Sequence, residues 1–77
     1  MENLLVKEVL IQKFGERVCS LREKHKMTQE QLAVRSGISL KYIQRIEGKN
    51  PPNLGLEYLE KLAIGFEIPL WRLLKFD

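Results

Sequence analysis

TQEQLAVRSGISLKYIQRIEGK, residues 28–49, reads as two short helices broken by one glycine. Thr28 with Gln31 three residues on forms a capping box, in which each side chain accepts from the other's backbone N–H at the start of a helix. Met27 and Leu32 sit where a hydrophobic staple closes that start. The helix is expected to end near Ser36, because Gly37 can take the left-handed conformation that stops a helix without a Cβ penalty. Ser39 is the next N-cap, stapled by Ile38 and Ile43. The link is then only Gly37, Ile38 and Ser39. The second helix has an apolar side, Ile43 and Ile46, and a side of Lys41, Gln44 and Arg45. Folding alone does not call for a basic, hydrogen-bonding face, so that side asks for a partner.

Working outward, no stretch alternates apolar and polar residues for long enough to make a strand, and the apolar spacing is helical throughout. The spacing predicts five helices: a long first one over about 3–25, then 29–36, 40–48, 56–66 and 70–75. Pro51 and Pro52 in KNPPN exclude helix between the third and fourth. Leu54 and Leu59 flank Gly55 as a staple pair and mark the fourth start, with Asn53 as a rival cap. The fifth helix follows Pro69. Two helices joined by a turn of about three or four residues containing glycine make a helix-turn-helix. The expected fold class is all-α, and 77 residues are expected to form one domain, with residues 1–13 a helical extension of a 14–74 core.

Hydrophobic residues make up 44% and charged residues 30%, which suits a globular chain rather than a disordered one. A chain this small buries only about 60% of its unfolded surface, so a partner subunit would help it. The single cysteine, Cys19, excludes an internal disulfide, and Cys19 with the single histidine, His25, makes no zinc site. No apolar run approaches the roughly 20 residues that span a bilayer. Glu2 and Glu8 make the N-terminus a poor signal peptide, and the expected location is the cytoplasm. The formal net charge is +3. Residues 22–49 hold seven cations against three carboxylates, net +4, which leaves −1 for the remainder. A localised basic patch points to a polyanion, against the plainer reading of a solvated face.

Two charges fall on apolar faces. Leu10, Phe14, Val18 and Leu21 line one side of the first helix, and Arg22 lies about 40° from Val18. Glu47 lies about 40° from Ile43 on the third helix. An unpaired buried charge is costly, and these two are opposite, so Arg22 and Glu47 are expected to pair and tie the first helix to the third. The alternative is that both reach solvent separately.

Opposite Ile43 and Ile46, the third helix carries what a DNA major groove recognises. Lys41 and Arg45 can donate to guanine O6 and N7, Gln44 can bond adenine in bidentate fashion, and Leu40 can touch a thymine methyl. Tyr42 and Lys49 suit phosphates, and Gln29, at the first turn of the second helix, could meet another.

The chain closely resembles the phage-repressor (Cro/Xre-like) helix-turn-helix domain over residues 14–74, through LRE, TQEQLA, SGIS, YIQRIEGK, LEYLEKLA and IPLWRLL at matching spacing. The resemblance implies a five-helix, lambda-repressor-like bundle that binds double-stranded operator DNA, usually as a homodimer and as a transcriptional repressor. It implies that Arg22 and Glu47 form the family's buried pair, that Leu40, Lys41 and Arg45 with Gln44 read bases, and that Gln29, Tyr42 and Lys49 contact the backbone. Three positions deserve comparison with the family. Lys26 and Glu67 stand where it often has glycine, and Lys26 is expected at positive φ. Gly15, inside the first helix, matches a common family glycine and implies close packing there.

Leu70, Trp71, Leu74 and Phe76 crowd the last eight residues, more apolar surface than a small monomer covers easily. They are expected to form a twofold dimer interface with Leu5 and Val9, or else to be covered by the N-terminal extension within one chain. Cys19 reads as a small packing residue and His25 as a cap or surface residue. There is no Ser/His/Asp set, phosphate-binding glycine loop or paired carboxylates, so neither an enzyme nor a cofactor site is expected. The rival to a DNA-binding regulator is a protein-interaction module, an antitoxin or adaptor whose main partner is a protein. Control is expected to act through dimerisation, abundance or a partner.

Overall fold

The computed structural model describes residues 2–76, with side chains from residue 9 onward. The element order is α1 (Glu2–Lys24), α2 (Gln29–Ser36), α3 (Leu40–Ile46), α4 (Leu56–Phe66) and α5 (Leu70–Leu73), and no strand occurs among the described residues. Each helix gives the core at least one fully buried side chain: Val18, Leu32, Ile43 with Ile46, Leu62 and Leu73. Burying such a side chain is worth about 1.5–3 kcal/mol. The core is therefore shared by all five helices, and α3 is held by two of its anchors.

The local signals act as their chemistry predicts. Thr28 Oγ1 accepts from Gln31 N at 3.0 Å, and Gln31 Oε1 accepts from Thr28 N at 2.8 Å, which completes the capping box. Gly37 ends α2 at φ 76°, its N–H donating to the Ala33 carbonyl at 3.0 Å. Ser39 caps α3 by accepting from Tyr42 N at 3.1 Å. Gly55, not Asn53, is the N-cap of α4.

The ends of α1 and α4 share one backbone arrangement. Met27 N donates to Arg22 O at 2.9 Å and Lys26 N to Glu23 O at 3.0 Å. Ile68 N donates to Ala63 O at 3.0 Å and Glu67 N to Ile64 O at 3.0 Å. These are Schellman closures, which place one residue in the left-handed region. Those residues are Lys26 at φ 55° and Glu67 at φ 59°, so each carries a strain that glycine would avoid.

Two helices stop earlier than their periodicity suggests. α3 ends at Ile46 rather than residue 48, where Gly48 N turns back to Arg45 O at 3.1 Å and tightens the last turn. α5 ends at Leu73 rather than residue 75. There Arg17, reaching from α1, donates from Nη2 to Arg72 O at 2.8 Å and from Nε to Leu73 O at 3.2 Å. A guanidinium thus satisfies carbonyls at the end of α5, that of Arg72 being shared with the Lys75 N–H at 3.2 Å.

Gly15 shows how α1 meets α3. A Cβ there would run into the Ile46 carbonyl oxygen, so the helices approach as closely as they do only because the side chain is absent. The N-terminal part of α1 is less covered. Its 23 residues span about 34 Å at 1.5 Å each, close to the 38 Å long axis of the molecule. Val9 and Leu10 are about half exposed there. The Leu5 side chain lies outside the described residues. Among the described residues, no helix is long and apolar enough to cross a membrane.

Candidate nucleic-acid interface

α3 has two unlike sides. Ile43 and Ile46 are buried, whereas Lys41, Gln44 and Arg45 are exposed and Leu40 stands half-buried at their edge. The rotation of α3 is fixed by more than its apolar anchors. Arg22 grips Glu47 with two donors, Nε to Oε2 at 2.9 Å and Nη2 to Oε1 at 3.0 Å. Arg22 Nη1 donates to Met27 O at 3.0 Å, so the same guanidinium also ties down the turn before α2. The Glu47 side chain is only 5% exposed and that of Arg22 16%. The hydrogen bond to Glu47 holds the Arg22 guanidinium above its already high ordinary pKa. The single carboxylate of the α3 segment is thereby turned inward and paired, and the outer face of α3 presents Lys41, Gln44 and Arg45 with no acidic side chain among them.

Gln29 completes this network. Its Nε2 donates to Glu47 Oε1 at 2.9 Å, linking the first residue of α2 to the end of α3. One amide hydrogen is therefore committed inside the protein. The second amide hydrogen and the backbone N–H at the first turn of α2 are the donors suited to a phosphate. Lys49 is exposed just beyond α3, and its carbonyl accepts from Gln12 Nε2 at 3.0 Å, which fixes the loop to α1.

Tyr42 is half-buried rather than standing free on the flank. Its ring lies 4.8 Å from that of Tyr58 on α4, centroid to centroid. The Arg45 guanidinium carbon lies over the Tyr42 ring at 5.6 Å. Tyr58 was not singled out by sequence reasoning. Its place four residues before the buried Leu62 marks it as facing inward, but its contact with Tyr42 depends on how α4 docks.

The apolar residues expected at an interface divide. Trp71 is 66% and Leu74 42% exposed, whereas Leu70 and Phe76 are half-buried. The Phe76 ring packs 6.1 Å from that of Phe14 within the chain. His25 is exposed, with Nδ1 2.8 Å from Leu21 O and its ring 5.5 Å from that of Phe66. Burial, then the Glu47 and Glu23 carboxylates, raise the Cys19 thiol above its ordinary pKa, the wrong direction for a nucleophile.

A helix-turn-helix family model matches residues 20–70. The fold is similar to the crystal structure of the restriction-modification controller protein C.AhdI from Aeromonas hydrophila. The TM-score is 0.75 at 33% identity, covering 82% of this chain and 94% of that one. It is also similar to a point mutant of the restriction-modification controller protein C.Esp1396I, with a TM-score of 0.74 at 32% identity, covering 84% and 89%. No curated protein matches the sequence.

Proposed function

The chain belongs to the Cro/Xre-like helix-turn-helix family of DNA-binding transcription regulators, and from that premise we propose that it represses transcription by binding a palindromic operator as a homodimer. The family is one of regulators rather than enzymes. In this reading each subunit lays α3 in a major groove, and two half-sites are read about one helical turn, roughly 34 Å, apart. The observation that carries it is the segregation of charge on α3: Lys41, Gln44 and Arg45 face outward while Glu47 is bound to Arg22 inside.

Lys41 and Arg45 donate to guanine edges, Gln44 bonds adenine, and the Leu40 tip contacts a thymine methyl. Gln29, Tyr42 and Lys49 set the register on the phosphates. Trp71 and Leu74, with Leu70, Phe76 and the exposed Val9, form the twofold contact between subunits. The likeness to two restriction-modification controllers favours control of a restriction-modification system over a phage or antitoxin setting. Such a protein works in the cytoplasm.

Binding of base-substituted operators tests the assignment. Arg45→Ala and Lys41→Ala should each relax base choice by about 1–3 kcal/mol at the positions they read. An Arg45→Ala protein with the base preference of the wild type would refute the role given to that residue.

A further inference from the structure

We infer that Tyr58 on α4 is a positioning residue for base recognition: through Tyr42 it holds the Arg45 guanidinium on the reading face before DNA arrives. The inference rests on the role proposed for Arg45 and deepens it. Three contacts form a continuous stack. The Arg45 guanidinium carbon lies 5.6 Å from the Tyr42 ring centroid. The Tyr42 and Tyr58 rings are 4.8 Å apart and inclined at 38°. Lys61 Nζ lies 5.4 Å from the Tyr58 centroid. Each ring therefore carries a cation, as the negative face of an aromatic quadrupole favours.

The stack runs from a buried element to an exposed side chain. Tyr58 sits in the first turn of α4, one turn before Leu62, which is fully buried. Lys61 is also held to Glu57 at 3.8 Å, one turn back on α4. Both tyrosines are half-buried, whereas Arg45 is exposed. An exposed arginine must lose rotamer freedom when it binds a base, and a ring that holds it beforehand lowers that cost. The chemistry of the two contacts is compatible. A guanidinium stacks through its face and keeps its N–H donors in plane, so the edge that meets guanine O6 and N7 stays available. Tyr58 itself need not touch DNA.

The test measures equilibrium affinities for the operator selected by the wild-type protein and for its single-base variants. The proteins compared are wild type, Arg45→Ala, Tyr58→Leu, Tyr58→Phe and the double variant Arg45→Ala/Tyr58→Leu. Tyr58→Leu should lower discrimination by about two- to fivefold, the worth of an exposed cation–π contact, and only at the base pairs that Arg45→Ala affects. Tyr58→Phe keeps the ring and should keep the discrimination. Adding Tyr58→Leu to Arg45→Ala should change it no further. A loss spread equally over all base variants, or an unaltered pattern in Tyr58→Leu, overturns the inference. If Arg45→Ala itself leaves base preference intact, the base-reading role falls and the inference falls with it. Should Tyr58→Leu fail to fold, NMR of the wild type decides. Arg45 side-chain protons moved upfield by the Tyr42 ring support the stack, and random-coil shifts overturn it.

Discussion

In the α2–α3 unit, Thr28, Gln31, Gly37 and Ser39 satisfy the helix ends, Arg22, Gln29 and Glu47 satisfy one another, and Leu32, Ile38, Ile43 and Ile46 are covered. At the edge formed by α1 and α5, Val9, Leu10, Trp71 and Leu74 remain exposed, and among the described residues Arg17 is the polar tie, on the last carbonyls of α5. An apolar groove lies beside that edge, lined by Leu10, Ile11, Phe14, Leu54, Leu74 and Phe76 among others. The first region is complete within one chain, and apart from Val34 on α2 what it leaves outward is polar, with Lys41, Gln44 and Arg45 on the α3 side. The second leaves these apolar side chains in solvent among the described residues, set between the charged Lys13, Arg72 and Lys75. A surface of the first kind suits a polyanion that comes and goes. A surface of the second kind suits a second copy.

Glu47→Ala leaves the Arg22 guanidinium without its carboxylate and frees the Gln29 amide, and should cost about 3–5 kcal/mol in urea unfolding. A loss below about 1 kcal/mol would make the pair equivalent to a surface bridge and remove it as the tie between α1 and α3. Trp71→Ala should leave unfolding nearly unchanged, because the side chain lies mostly in solvent. It should weaken self-association by about 2 kcal/mol, as loss of a central interface aromatic does. Sedimentation equilibrium reads this directly, and a wild-type monomer at tens of micromolar would end the assignment of that edge to a dimer. Lys49→Ala should lower affinity for all sequences alike, with a salt slope flatter by about one unit per subunit. An effect confined to one base pair would move Lys49 from the phosphates to the bases. The smallest effect concerns a helix end. Glu67→Gly relieves the left-handed strain at φ 59° and, net of glycine's greater unfolded-state entropy, should stabilise by about 0.5 kcal/mol. A lower melting temperature would show that the Glu67 side chain contributes more than its backbone costs.

What the sequence made legible follows the same division. The caps at Thr28 and Ser39 and the stop at Gly37 are local, so a few adjacent residues suffice to read them. The Arg22–Glu47 pair is distant in sequence, yet each charge betrays itself by lying on the apolar face of its own helix. Arg17 gives no such sign. Its partners, the carbonyls of Arg72 and Leu73, lie 55 and 56 residues away and are backbone groups that any sequence would supply. The second task of Gln29 was hidden similarly, because a glutamine at a helix start reads as exposed until Glu47 is placed beside it. The same holds for Tyr58, whose inward direction is readable and whose partner is not.

The most direct test is selection from random duplex DNA by the purified protein at physiological salt. The account predicts enrichment of a palindrome whose half-sites lie about one helical turn apart, with guanines at the positions facing Lys41 and Arg45. Binding that weakens with salt but enriches no sequence would contradict it, and would leave α3 as a charged surface without a reading role.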